Sequence, residues 1–228
     1  MKTNKYIISG GGTGGHIFPA LSIANKIKEE NPGSNILFVG SIGKMEMNKI
    51  PDSGFSIIGL PIDGFQRSLS YRNILFPFKL LISLIKSIFI VIRYKPDAVI
   101  GTGGFASGPV VFISQILGYP TLIQEQNSYA GVTNIILGKR AKLVAVAYPN
   151  MEKFFSKEKI VLTGNPVRKD IIENDLKSLN AKSYFDLDPD KAVIGIIGGS
   201  LGALKINQVI SNYLNVFNDL GVQVIWQC

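Results

Sequence analysis

Apolar residues along this chain come in short unbroken runs, separated by stretches in which they recur every three or four positions. Runs at 5–9, 35–39, 55–60, 97–101, 120–124, 142–146 and 159–162 contain almost no polar interruption. A strand with one wet face would alternate, so continuous runs such as NILFVG and DAVIG predict parallel strands covered on both sides. Helical spacing fills most of the gaps between them, which predicts a doubly wound parallel α/β domain. Near 162–170, LTGNPVRKD, that rhythm stops. A polar stretch containing DLDPD leads to a fresh strand at 192–197, a helical pattern and a last strand, VQVIWQ. Two strands and one long helix do not complete a second domain of this kind. Residues 1–163 are therefore expected to form a whole domain, and 164–228 a linker with the beginning of a second, Rossmann-like one, as in a truncated protein.

One helical stretch is unusually apolar. Residues 74–92, ILFPFKLLISLIKSIFIVI, have the length of a membrane span, but Pro77, Lys79 and Lys86 interrupt it. At about 100° per residue, Lys79, Lys86 and Arg93 fall on one stripe and Phe78, Leu81, Ile85, Ile88 and Ile92 on another. Such a helix is either a core element with a wet basic face or an in-plane contact that enters the headgroup region of an anionic membrane. It carries more apolar surface than one sheet face covers, which favours the membrane contact through Ile74, Phe78, Lys79, Leu81, Ile85 and Lys86, aided by Arg67 and Arg72.

Three of the predicted strands end in glycine clusters: SGGGTGGHIFPA at 9–20, GTGGFASGP at 101–109 and GGSLGALKIN at 198–207. Glycine admits positive φ and leaves bare N–H groups, and a helix start adds partial positive charge, so each junction suits an anion, most simply a phosphate. The first predicted helix begins near Gly15 and runs toward Asn31, with Pro19 placed in its opening turn. All three loops fall at strand C-terminal ends, where open α/β sheets bind ligands.

Composition narrows the partner. Lysine and arginine exceed aspartate and glutamate by 24 to 16, which suggests something anionic. No helix-turn-helix, zinc-ligand pattern or aromatic-rich binding strand supports nucleic acid, and none is expected as a partner. The 46% apolar content supplies a core and argues against disorder. A single cysteine, Cys228, and an N-terminus that leads directly into the first strand fit a cytoplasmic location.

The segments GGTGGHIFPALSIA, KPDAVIGTGGFASGP, QEQNSYAGVTN, GNPVRKD and GGSLGALKIN give the sequence a resemblance, over its whole length, to the MurG family. These are bacterial transferases that move N-acetylglucosamine from UDP-GlcNAc to lipid I, undecaprenyl-diphospho-MurNAc-pentapeptide, to give lipid II in peptidoglycan synthesis. The resemblance implies a GT-B fold, with an acceptor domain first and a UDP-GlcNAc domain second. It also implies inversion at the anomeric carbon, no metal or other cofactor, and peripheral attachment to the cytoplasmic side of the inner membrane. Donor contacts are then expected at Thr13, Gly14, Gly15, Asn127, Arg168 and Ser200. Acceptor diphosphate contacts are expected at Gly12, His16, Gly103 and Gly104. One departure is Leu201, where the family usually has glutamine.

Glycosyl transfer needs a base for the attacking hydroxyl and charge stabilisation for the leaving diphosphate. His16, the one histidine, and Glu125 are the candidate bases; Arg168 suits the diphosphate through its planar fork. Asp186–Asp190 has Asp-x-Asp spacing but precedes its strand, so it reads as a solvated turn. Two other readings remain at this level. One is a non-catalytic acceptor- and membrane-binding module. The other is a nicotinamide-dependent oxidoreductase, since Gly10, Gly12 and Gly15 satisfy G-x-G-x-x-G. That fingerprint wants a carboxylate at the end of the second strand, which ends in FVGS.

Overall fold

The computed structural model describes residues 3–64, 71–167, 181–199 and 203–227. It divides into two compact units, 1–171 and 172–228.

Unit 1 holds seven parallel strands: β1 (Lys5–Gly10), β2 (Asn35–Ser41), β3 (Ser56–Leu60), β4 (Ala98–Gly103), β5 (Thr121–Glu125), β6 (Leu143–Val146) and β7 (Ile160–Leu162). Their order is β3-β2-β1-β4-β5-β6-β7, the doubly wound arrangement that the sequence pattern predicts. Helices α1 (Gly14–Glu30), α2 (Glu46–Asp52), α3 (Tyr71–Tyr94), α4 (Ser107–Ile116) and α5 (Val132–Gly138) form the crossovers. The unbroken runs arise because successive strand residues feed two cores. Ile7, Leu37, Val39 and Val99 face one cluster with Val91, Val110 and Leu137. Their neighbours Ile8, Ile36, Phe38 and Ile100 face the other with Ile17, Ala20 and Ala24 of α1. Each fully buried Leu, Ile, Val or Phe contributes about 1.5–3 kcal/mol relative to exposure.

The order of strands reverses between β1 and β4. In open α/β sheets the crevice beyond such a switch point receives ligands, and the first two glycine loops both lie there. A backbone bond from the Gly11 N–H to the Gly103 carbonyl, 3.3 Å, joins them. Helix α1 starts at Gly14, so Pro19 is its sixth residue and lies beyond the opening turn expected for it. Its missing N–H removes the helical bond to the Gly15 carbonyl.

Helix α3 packs Phe76, Leu80, Leu84 and Ile88 onto the first cluster. Ile88 thereby leaves the outward stripe assigned to it from spacing. The outward side carries Phe78, Leu81, Ile82, Ile85, Phe89 and Ile92, each about half exposed or more, with Phe78 at 64% and Leu81 at 56%. Residues 75–94 are long and apolar enough to cross a membrane by length and composition, yet one side belongs to a domain core. The lysines do not form the free basic stripe that spacing suggested. Lys79 donates to Asp63, and Lys86 donates to the Gly59 carbonyl at 2.7 Å. Sheet-edge acceptors, invisible in a helical wheel, draw both heads back onto the domain.

Unit 2 has a two-stranded parallel sheet of β8 (Val193–Ile197) and β9 (Gln223–Gln227), with α6 (Ala181–Tyr184), α7 (Leu204–Asn212) and α8 (Leu214–Asp219). The turn before β8 is closed by its own groups: the Asp190 N–H donates to Asp188 Oδ1, and Gln223 bonds the Asp188 backbone.

Candidate active site at the sheet switch point

The crevice above β1 and β4 opens into a cavity of about 350 Å³ lined by Gly11, Gly12, Thr13 and His16, by Lys44 and Asp63, by Phe76 and Lys79 of α3, and by Gly104 and Phe105. Close approach of backbone explains its glycines. Gly104 has φ +78, and a Cβ there would lie 2.2 Å from the Gly11 carbonyl oxygen.

His16 sits in the first turn of α1. Its Nδ1 is 3.1 Å from the Gly11 carbonyl oxygen, which only accepts, so Nδ1 carries the proton and the neutral ring presents Nε2 as a lone pair. The Thr13 hydroxyl lies 3.2 Å from the same nitrogen. Burial pushes the imidazole pKa below its ordinary value, opposed by the Gly11 hydrogen bond and by the fields of Glu125 and Glu46. The ring is therefore neutral at pH 7 with a basic nitrogen. It lies on bare Gly103, where a Cβ would be 3.1 Å from Nε2.

Glu125, the other candidate base, is 1% exposed at the end of β5. Its Oε1 accepts from the backbone and side-chain amides of Asn127, at 2.9 and 3.1 Å. Its Oε2 accepts from the Gly131 N–H at 3.0 Å and from Asn134 Nδ2 at 2.9 Å. Four donors occupy the carboxylate, which anchors the loop between β5 and α5. The Asn127 amide is likewise turned back toward Glu125. Asn134, not singled out from the sequence although it lies within the QEQNSYAGVTN segment, is 2% exposed, and its Oδ1 has no hydrogen-bond partner among the described residues.

Glu46 belongs to none of the glycine motifs and is the second functional residue that they do not reveal. It is fully buried in the first turn of α2, and it reaches back to two strand ends. Oε2 accepts from the Gly12 N–H at 3.0 Å and Oε1 from the Ser41 N–H at 2.9 Å. A carboxylate absent from the end of β2 in sequence is thus supplied five residues after Ser41, but it closes on the loop backbone. The amide of Gly12 is therefore occupied by the protein itself, and a negative charge stands behind the first loop, where a dinucleotide pyrophosphate would have to bind. The only sequence signal was an acidic residue just inside a short helix.

Of the other expected contacts, Gly12, Thr13, Gly14 and Gly15 lie in the β1–α1 junction and Gly103 and Gly104 in the β4–α4 junction. Phe78, Leu81 and Ile85 project from α3, while Ile74 is described in its backbone alone. Arg168 and Ser200 lie outside the described residues.

Comparison with known proteins places this arrangement among glycosyltransferases. The glycosyltransferase family 28 N-terminal domain matches residues 6–146. A protein of Flavobacterium psychrophilum named UDP-N-acetylglucosamine--N-acetylmuramyl-(pentapeptide) pyrophosphoryl-undecaprenol N-acetylglucosamine transferase is 55% identical over the whole of this chain. One of the same name from Christiangramia forsetii is 52% identical over 98% of it. The chain spans 62% and 61% of the lengths of these two relatives. The crystal structure of Acinetobacter baumannii MurG superposes with a TM-score of 0.69 at 30% identity, covering 93% of this chain and 57% of that one.

Proposed function

Since this chain belongs to the glycosyltransferase family 28 N-terminal domains, we propose that the protein containing it transfers N-acetylglucosamine from UDP-GlcNAc to lipid I, giving lipid II. The observation that carries the reading is the 55% identity, over every residue of the chain, to a transferase named for that reaction. The chain supplies the acceptor half. His16 acts as the base: the Gly11 carbonyl fixes its tautomer, burial keeps it neutral, and Nε2 takes the proton of the attacking sugar hydroxyl. The resulting imidazolium is stabilised by the carboxylates of Glu46 and Glu125, both of which raise its pKa. Glu125 holds the loop in place and moves no proton. Departure of UDP is assisted by Arg168 and by contacts from Thr13, Gly14, Gly15, Asn127 and Ser200, without a metal.

The acceptor is membrane-borne, and α3 supplies the contact with its membrane. Its outward residues Phe78, Leu81, Ile85 and Phe89 enter the headgroup region, holding the protein peripherally on the cytoplasmic face, on anionic phospholipid. The test is transfer of radiolabel from UDP-GlcNAc to a lipid I analogue by the complete protein in EDTA. Labelled lipid II is expected; absence of product from a folded enzyme, or a requirement for manganese, overturns the reading.

A further inference from the structure

We propose that Lys44 and Lys79 form the seat for the acceptor's diphosphate, and that Asp63 is an internal anion which occupies this seat until the diphosphate displaces it. The proposal rests on the acceptor reading above; it adds Lys44 and Asp63, which the sequence pattern did not single out, and gives Lys79 a different ligand from the lipid that helical periodicity suggested.

Three elements converge on one point. Lys44 comes from the loop after β2, Asp63 from the segment after β3, and Lys79 from α3. Lys79 donates to Asp63 Oδ2, and the Lys44 ammonium lies 4.0 Å from Oδ1. All three line the cavity that holds His16 and the first two glycine loops. The loop backbone alone is a poor anion site here, because Glu46 already accepts the Gly12 N–H and adds negative charge behind it. Attraction for a diphosphate must then come from cations in the cavity, and these two lysines supply it. A diphosphate offers both ammonium groups more negative charge than the single carboxylate of Asp63 does. Displacement is cheap: the Lys79, Lys44 and Asp63 side chains are each about two-fifths exposed, and ion pairs so open to water add little to stability.

Helix α3 also fixes the height of the seat. Phe78 and Lys79 are consecutive, about 100° apart around the helix axis. The phenyl ring projects outward, while the ammonium turns into the cavity. A diphosphate anchored in lipid by its hydrocarbon tail would reach Lys79 beside the point where Phe78 meets the surface. The sequence pattern assigned Lys79 to the lipid; the structure assigns it to the group the lipid carries.

The experiment is calorimetric titration of this chain with geranyl diphosphate, geranyl monophosphate and UDP-GlcNAc, with circular dichroism on each variant. Geranyl diphosphate should bind more tightly than the monophosphate. Lys44→Gln and Lys79→Gln should each weaken it about tenfold, as loss of a charge-assisted contact does, and the arginine variants should restore most of it. Asp63→Asn should tighten it several-fold, a change of sign that a merely structural ion pair does not produce. The seat is overturned if folded wild-type chain fails to bind geranyl diphosphate, if both glutamine variants bind within twofold of wild type, or if Asp63→Asn weakens binding. Equal lysine dependence for UDP-GlcNAc would overturn its assignment to the acceptor. In the complete protein, transfer with an unchanged acceptor KM in Lys79→Gln removes the seat and leaves the transferase reading intact. Absence of transfer removes that reading, while the titration still decides whether the seat exists.

Discussion

Replacing Glu46 by glutamine changes one atom's chemistry and leaves the shape of the side chain, so it isolates what the carboxylate does for the first glycine loop. The wild-type group accepts two backbone N–H bonds, 3.0 Å from Gly12 and 2.9 Å from Ser41. Its stem runs against Gly40, where a Cβ would lie 2.6 Å from Glu46 Cγ, so the bare glycine makes room for the side chain. A glutamine has one acceptor oxygen, and its NH2 must face one of the two N–H groups in either orientation. A hydrogen bond to a charged group contributes about 1.5–3 kcal/mol. Ser41 is buried and cannot recruit water, whereas Gly12 is exposed and can. The amide should therefore turn its oxygen to Ser41 and abandon Gly12, losing about 2 kcal/mol; alanine, which abandons both, should lose about 3 kcal/mol. For a chain of this size about 2 kcal/mol lowers the melting temperature by roughly 4–8 °C. Urea denaturation followed by far-ultraviolet dichroism, with amide exchange at Gly12 and Ser41, measures both parts. A glutamine variant within about 0.5 kcal/mol of wild type, or unchanged exchange at Gly12, would show that the carboxylate does not hold the loop in solution.

The His16 imidazole should titrate below 6.5, as its burial dictates. Because the unfolded chain then binds the proton more readily, stability is complete above pH 6.5 and declines as pH falls from there through the folded pKa; proton NMR of the one histidine, with His16→Gln as control, checks both. Glu125→Ala should cost about 4 kcal/mol, since four donors lose their acceptor. Undiminished stability in denaturant, together with lost transfer, would instead make Glu125 the base. Phe78→Asp with Leu81→Asp should leave the melting curve nearly unchanged, because both positions are exposed, and should abolish sedimentation with anionic vesicles. Unfolding of that double variant would withdraw the lipid contact from α3.

The run-and-gap pattern of apolar residues was enough to determine the fold of unit 1. Each strand run is continuous because its successive residues supply the two cores on opposite faces, and that requirement is written locally in the chain. The glycine loops were legible for a similar reason: positive φ and backbone contact exclude side chains at the residues themselves. The roles of charged residues were not legible, because a charge is placed by whatever the fold brings to it. Glu46 looks like an ordinary first-turn acid until β1 and β2 deliver two N–H groups to it. Lys79 and Lys86 fall on a helical stripe, but Asp63 and the Gly59 carbonyl, 16 and 27 residues away, decide where their ammonium groups end. Glu125 and His16 were equal candidates as titratable groups. Only the tertiary structure told them apart, by surrounding one with four donors and setting Nδ1 of the other against the Gly11 carbonyl.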